Sequence, residues 1–366
     1  MSPSRNNDIG KSARNRIRHI SGEQVQRLLY KLDAILPHLP SPELKEFLSP
    51  LDYTPGEVSN DGTKGGGKHV LQECSILGHL RRIGALGNDD AATTNESRRD
   101  TAIELGAGTG RLSERLQRVT PQPIHHVMID RWEFAPSQCR DGRMRSRAGD
   151  VGSVVRVVCD IADLDLDEYC CTAMTRESCT KTNRCFCMSK HLCGPACDLA
   201  IAALERVDRQ RRPPFAFATC CHYLCTFDVF SGRDYWIQLG LTEEDFEVAV
   251  AVSQWHSLKR SNAKRQCDSA VERHDSSIVD FRELIKNVPS ALEANLWSKR
   301  TPFDIKPSGE FERTFLTESK AKLGTDVKRI LDMTRVAKLQ ELGYKAELLL
   351  YTTKSIENRL LVGTIT

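Results

Sequence analysis

The sequence predicts an α/β protein: a mostly parallel sheet with helices on both faces, preceded by a small N-terminal helical segment. Three observations carry this expectation. From Thr101 onward, short apolar runs rich in β-branched residues alternate with amphipathic helical runs, the pattern of parallel strands joined by crossover helices. The first of these strands ends in a glycine-spaced turn, as where a strand feeds a helix around a ligand. At 366 residues, with 40% hydrophobic and 28% charged side chains, the chain can bury one large core plus an appendage, and a disordered or fibrous class is excluded.

Taken in order, residues 1–62 read as an N-terminal helical segment and linker. Val25, Leu28, Leu29, Leu32 and Ile35 recur at helical spacing behind Ser21 as a cap, and prolines stop the pattern. Gly65 to Gly67 mark a flexible joint, and residues 63–366 read as the main domain. Its first segment, "VLQECSILGHLRRIG", is helical, and "GNDDAATTNESRRD" is a polar loop. Strands and helices then alternate through "TAIEL", "RLSERLQRV", "IHHVMID", "VVRVVCDI", "RCFCMSK", "CDLAIAALERV" and "FAFATC", with residues 133–152 as an extended loop. A charged, poorly periodic insert covers about 256–320. The helix "VKRILDMTRVAKLQELG" and two strands, "YKAELLLYTT" and "ENRLLVGTI", close the chain. No run of ~18 apolar residues occurs, so no membrane span is expected. The basic N-terminal stretch is not followed by an apolar one, so a cytosolic or nuclear chain is expected rather than a secreted one.

"TAIELGAGTGRLSERL" is the most informative local signal. A strand ends near Glu104, the chain turns through Gly106, Gly108 and Gly110, and a helix starts near Arg111. A dinucleotide-binding fingerprint wants glycine or alanine at position 111, where this chain has arginine. The spacing E-x-G-x-G-x-G resembles instead the first motif of class I S-adenosylmethionine methyltransferases, and the predicted fold becomes the Rossmann-like sheet of that class. Asp130 ends the next strand, where a carboxylate meets ribose hydroxyls in nucleoside-binding sheets. Asp160 and Ile161 end the third strand, where an adenine amino group and ring face would lie. Each aspartate alone is equally a turn former.

"SKHLCGPACDLAI" follows the fourth strand at the carboxyl edge, where open α/β sheets transform ligands. Lys190 and His191 would face the reacting group, with Cys193 and Gly194 forming the turn, and Asp198 near the next helix start suits either the dipole or a cap. "FATCCHYLC" brings Cys220, Cys221 and His222 to the neighbouring strand end. Of the fourteen cysteines, most lie between Cys159 and Cys225; their irregular spacing suits reduced thiols better than a disulfide framework. Two C-x3-C pairs, Cys193/Cys197 and Cys221/Cys225, keep structural zinc as a competing reading, though no metal ligand is assigned. Cys159, Cys185 and Cys187 read as small buried hydrophobes.

The net charge of +3 does not by itself mark a nucleic-acid binder, yet positives cluster at Arg81, at Arg140 to Arg147, at Arg206 to Arg212 and at Lys259 to Arg265. Any one cluster is ordinarily a solvated face, but several together can hold phosphates.

Together "KHVLQECSILGHL", "IELGAGTGRLS", "SKHLCGPACDLAI", "CCHYLC", "SGRDYWIQLGL" and "SIENRLLVG" resemble, in order and from about Lys68 to the C-terminus, the eukaryotic tRNA 2′-O-methyltransferases that modify the fourth nucleotide of the acceptor stem. The resemblance implies S-adenosylmethionine as donor and the 2′-hydroxyl of a tRNA nucleotide as acceptor; with no long apolar run, no membrane partner is expected. Cys197 replaces a threonine of the family pattern, Tyr223 a histidine, and Thr334 the glycine of a D-x-G-R motif at Asp332 to Arg335. The family also carries cysteine/histidine zinc modules before the segment at which this sequence starts.

A ribose hydroxyl is a very weak acid, so its methylation needs a base or a cation beside the developing alkoxide. Lys190 is the expected electrostatic partner, with His191 or His222 as proton acceptor; the cofactor set is Glu104, Gly106, Gly108, Gly110, Asp130, Asp160 and Ile161. Two further readings stay open: a class I methyltransferase acting on protein or small molecules, and a noncatalytic zinc-dependent RNA-binding module.

Overall fold

A computed structural model describes residues 19–49, 52–54, 66–86, 100–148, 153–172, 184–261, 279–286 and 310–365. The expected boundary near residue 62, Gly65, residues 87–99 of the polar loop and residues 262–265 of the Lys259 to Arg265 run lie outside them.

Helix α1 (Gly22–Ile35) starts at a capping box: Ser21 Oγ accepts from the Gln24 amide, and the Gln24 side chain returns to the Ser21 N–H. Helix α2 (Gly66–Arg82) includes Gly66 and Gly67, so the joint expected there is helix from Gly66 onward. Alternation follows through β1 (Asp100–Leu105), α3 (Arg111–Val119), β2 (Ile124–Asp130), α4 (Asp141–Ala148), β3 (Ser153–Val158), α5 (Leu166–Thr172), β4 (Cys185–Cys193), α6 (Pro195–Arg206) and β5 (Phe215–Cys220). Next come α7 (Arg233–Gln238), α8 (Glu243–Val252), α9 (Phe281–Lys286), α10 (Glu310–Glu341), β6 (Tyr344–Leu350) and β7 (Arg359–Ile365).

The structure differs from the sequence expectation in two places. The extended loop at 133–152 contains α4, because Met144 plugs into Ala107, Met128 and Val154 while the arginines around it stay toward solvent. One such anchor contributes roughly 1.5–3 kcal/mol. The closing helix begins at Glu310 rather than near Val327, so the end of the charged insert is helical.

The chain folds as two compact units. One takes Pro42–Cys220 and Glu341–Thr366 and holds the sheet, with strand order β3-β2-β1-β4-β5-β7-β6. β1 to β5 are parallel, and β7 runs antiparallel between β5 and β6. The apolar runs of β1, β4 and β5 are buried along their length, as strands covered on both faces must be. Ile76, Leu77 and Leu80 of α2 and Leu112 and Leu116 of α3 pack on this sheet with Phe186, Met188, Ala216 and Val362.

The other unit takes Met1–Ser41 and Cys221–Gln340. Phe230, Trp236 and Phe246 form its aromatic core, and Lys31 pairs with Asp245 at 2.5 Å between α1 and α8. Gly232 fits closely against Thr334, which stands where the family pattern has glycine: a Cβ at Gly232 would sit 2.5 Å from Thr334 Oγ1.

Candidate active site

The strand order turns back between β1 and β4, β2 lying on one side and β5 on the other; ligands bind at such a switch point, off the carboxyl ends of the strands. Gly106, Gly108 and Gly110 follow β1 there with φ of 66°, 53° and 84°, a left-handed path that favours glycine. Two of the three are distinguished by their surroundings. A Cβ at Gly110 would lie 2.8 Å from Met128 Sδ, so this glycine serves packing. A Cβ at Gly108 would meet nothing within 4 Å, so this glycine borders open space that a ligand can enter.

Asp130 closes β2 beside that space. Its Oδ2 accepts from the Gly108 N–H at 2.8 Å and its Oδ1 from the Trp132 N–H at 2.9 Å, which fixes the carboxylate and ties the glycine loop to β2. Glu104 faces inward: Oε2 accepts from the Ser113 N–H at 3.0 Å and from Ser113 Oγ at 2.6 Å, and burial pushes its carboxyl up to about 7. It therefore anchors the start of α3 beneath the loop. Asp160 caps a 3-10 turn through Ala162 N–H at 3.1 Å, the turn-former role, and Ile161 beside it is buried.

The fourth strand runs on to Cys193 rather than ending at Lys190, and it does so with a bulge. Ser189 pairs with Phe217 and Leu192 with Thr219, so Lys190 and His191 together oppose Ala218. A bulge re-aims side chains, and here the result is that Lys190 is buried and His191 exposed. Lys190 Nζ donates to Glu73 Oε1 at 2.7 Å and lies 3.4 Å from the His69 carbonyl oxygen. Burial lowers the Lys190 pKa, with the Glu73 carboxylate opposing the shift. Arg111 Nε and Arg115 Nε approach the same carboxylate at 3.3 and 3.8 Å, so one buried glutamate serves three cations. The loop and the bulge adjoin, since a Cβ on Gly106 would lie 3.5 Å from the His191 carbonyl oxygen.

Cys193 and Cys220 face each other across β4 and β5 with sulfurs 3.0 Å apart, and His191 Nδ1 lies 4.0 Å from Cys220 Sγ. Cys197, the other half of the first C-x3-C pair, is buried in α6. Gly194, not Asp198, stands at the N-cap of α6; Asp198 lies buried in its first turn.

His222 belongs to the other unit, two residues beyond β5 in sequence. It is fully buried, with Nε2 2.9 Å from Asp332 Oδ1, which also accepts from Arg335 Nη1 at 2.9 Å. Arg335 Nη2 reaches Cys225 Sγ at 3.1 Å, so the second C-x3-C pair has one sulfur engaged by a guanidinium. The His222 Nδ1 has no hydrogen-bond partner among the described residues. Burial lowers the His222 pKa, against the pull of Asp332.

Sequence reasoning did not find Glu73, Arg156 or Asp141. Arg156 on β3 grips Asp141 with Nε and Nη2, each at 2.8 Å, and donates from Nη1 to the Gly108 carbonyl oxygen at 2.7 Å. The Asp332/Arg335 motif and His222 were each visible in the sequence, but their pairing across 110 positions was not.

A seven-stranded sheet of this order, with a glycine loop after β1 bordering open space and a fixed acid after β2, defines a Rossmann-like methyltransferase. The family model described as methyltransferase TRM13 matches residues 71–364, and the chain belongs to that family. Among curated proteins it is 26% identical over 307 residues to the "tRNA:m(4)X modification enzyme TRM13 homolog" of Dictyostelium discoideum, covering 81% of this chain and 52% of that one. The Schizosaccharomyces pombe "tRNA:m(4)X modification enzyme TRM13" is 24% identical over 367 residues, covering 97% and 82%. The Homo sapiens homologue is 24% identical over 342 residues, covering 81% and 64%. The chain thus spans about half the length of the Dictyostelium relative. Among the described residues, no helix is long and apolar enough to cross a membrane.

Proposed function

We propose that the chain is an S-adenosylmethionine-dependent tRNA methyltransferase acting on the ribose 2′-hydroxyl of the fourth acceptor-stem nucleotide, in the cytosol or nucleus. The observation that carries this reading is the open space at Gly108, bordered by the Asp130 carboxylate, on a loop whose Gly106 adjoins the strand bulge that holds Lys190. Relatives named as tRNA:m(4)X modification enzymes supply the substrate class.

The residues fit the donor. Gly106 to Gly110 would let the backbone approach it closely, Asp130 would accept from its ribose hydroxyls, and the turn at Asp160 and Ile161 would offer an apolar wall for its base. When bound, the donor supplies a methyl group on a cationic sulfur, open to in-line attack. The protein must then align the hydroxyl and manage its proton. Lys190, held by Glu73, stabilises charge developing on the ribose oxygen. His191 or His222 accepts the proton. Asp332 fixes His222 with Nε2 protonated, which leaves the lone pair on Nδ1, and burial keeps the ring neutral at physiological pH.

The test is incubation with labelled donor and total tRNA. Label recovered in an alkali-resistant dinucleotide from the fourth acceptor-stem position is the expected result, because a 2′-O-methyl group removes the nucleophile of alkaline cleavage. Label on a base, or on protein with none on RNA, overturns the reading.

A further inference from the structure

The basic clusters are not equivalent once their partners are known. Arg81 makes a two-pronged pair with Asp52 at 2.7 and 2.8 Å, and Arg82 pairs with Glu347. In the Arg206 to Arg212 group, Arg206, Arg211 and Arg212 are committed to internal acceptors. Arg206 donates to the Leu164 carbonyl oxygen at 2.9 Å, and Arg211 pairs with Asp167 at 2.6 Å. Arg212 donates to the carbonyl oxygens of Leu204, Glu205, Val207 and Leu342. These arginines bind loops together.

The cluster on α3 and α4 is different. Arg118, Arg140, Arg143 and Arg147 all approach one carboxylate, that of Glu114, at 3.1, 3.1, 3.9 and 3.4 Å. Glu114 is nearly buried, whereas the Arg143 and Arg147 side chains are 57% and 42% exposed. The neighbouring acid, Asp141, is already matched by Arg156. Even with Arg118 left out of the count, Arg140, Arg143 and Arg147 meet this one carboxylate, which leaves a concentrated positive surplus facing solvent. The surplus is held rigidly: the Gln117 side chain donates to the Met144 carbonyl oxygen at 2.9 Å, and the Arg140 N–H donates to the Thr109 carbonyl oxygen at 2.9 Å. That last bond places the patch directly beside the glycine loop. Trp132, 44% exposed after β2 with the Arg131 guanidinium 4.7 Å from its ring centroid, adds an aromatic surface of the kind on which nucleobases stack.

We infer that the Glu114-centred arginine cluster is the phosphate-docking face for RNA, with Arg143 and Arg147 as its exposed contacts, and that Glu114 spaces the guanidiniums for backbone phosphates. This inference rests on the tRNA reading above and names the surface that reading requires. Phosphates are favoured over a single small anion because the guanidiniums come from two helices and a loop, a spread that suits successive charges along a strand.

The experiment measures the salt dependence of binding to an acceptor-stem hairpin RNA by fluorescence anisotropy, comparing the parent with Arg143→Gln/Arg147→Gln. Glu114 keeps Arg118 and Arg140 in that variant, so the site remains paired and the fold should hold. The expected result is roughly tenfold weaker binding near 0.1 M salt, with the log–log slope shallower by roughly 1.5 to 2. Arg143→Lys/Arg147→Lys should retain most of the parent slope. Arg27→Gln/Lys322→Gln removes the same charge from exposed positions in the other unit and should leave the slope unchanged. An unchanged slope in the first variant, an equal loss in the Arg27/Lys322 control, or absence of salt-dependent binding by the parent overturns the inference. Methyl transfer by the same parent preparation is assayed in parallel, so failure of the tRNA reading shows as lost transfer and failure of this inference as unaltered slopes.

Discussion

Glu104 sits fully inside the sheet with a carboxyl pushed up to about 7, and its contribution to stability has a definite sign. Between the ordinary carboxylate value of 4.5 and about 7, the folded protein holds a proton that the unfolded chain has released, so this group makes stability fall as pH rises through that window. His79 and His126 act oppositely. Burial lowers them to about 4 and about 3, so each makes stability rise with pH up to its ordinary 6.5. Thermal melts of Glu104→Gln and parent across pH 5 to 7.5 isolate the first effect: the variant's relative stability should climb over that interval by an amount on the order of 3 kcal/mol at most. Parallel curves would mean that Glu104 is ionised in the fold. For chemistry, Lys190→Ala and His222→Ala should each lower turnover by about a hundredfold or more with donor affinity nearly unchanged, the signature of interactions made in the transition state. Glu73→Gln should follow Lys190→Ala in direction but be milder, since the amide oxygen still accepts from Nζ. Single-turnover rates and donor titrations together decide both.

At the scale of elements, the glycine loop is held on two sides: Asp130 takes the Gly108 N–H, and Arg156, itself gripped by Asp141, takes the Gly108 carbonyl oxygen. Both peptide groups of that turn are thereby oriented before any ligand arrives. Gly108→Val places a branched side chain in the left-handed region and in the open space, so calorimetry should find donor binding largely lost while the melting transition persists. Arg156→Ala leaves the space open but releases the carbonyl, and should weaken donor binding by roughly tenfold. Equal affinities for Arg156→Ala and parent would show that the clasp does not prepare the loop for the donor. The loop, its strand and its helix were legible in the sequence because all their determinants lie within about sixteen consecutive residues. The clasp was not, because Arg156 and Gly108 are 48 positions apart. The same holds for Lys190 with Glu73 at 117 positions and His222 with Asp332 at 110. The bulge at Lys190 and His191 was also hidden, since in a strand buried on both faces no period-two pattern exists to slip.

At the scale of the molecule, each unit is built from two separated pieces of chain, so neither is complete until distant segments meet. The sheet shows this most plainly. β5 (residues 215–220) has β4 on one side and β7 (residues 359–365) on the other, with all of Cys221–Gln340 between β5 and the closing hairpin. On a ribosome emitting the chain from its N-terminus, β1 to β5 emerge with the far edge of β5 unpaired, and that edge carries Phe215 and Phe217. An apolar strand edge left open is a template for misassociation. The nascent protein therefore passes through an interval of exposure that lasts as long as translation of the intervening residues, and a chaperone has its reason to act there. Release of a chain stopped before Tyr344 should yield aggregate rather than monomer, whereas supplying residues 344–366 in trans during synthesis should recover soluble material; monodisperse product from the shortened chain alone would show that β5 is shielded by something other than β7.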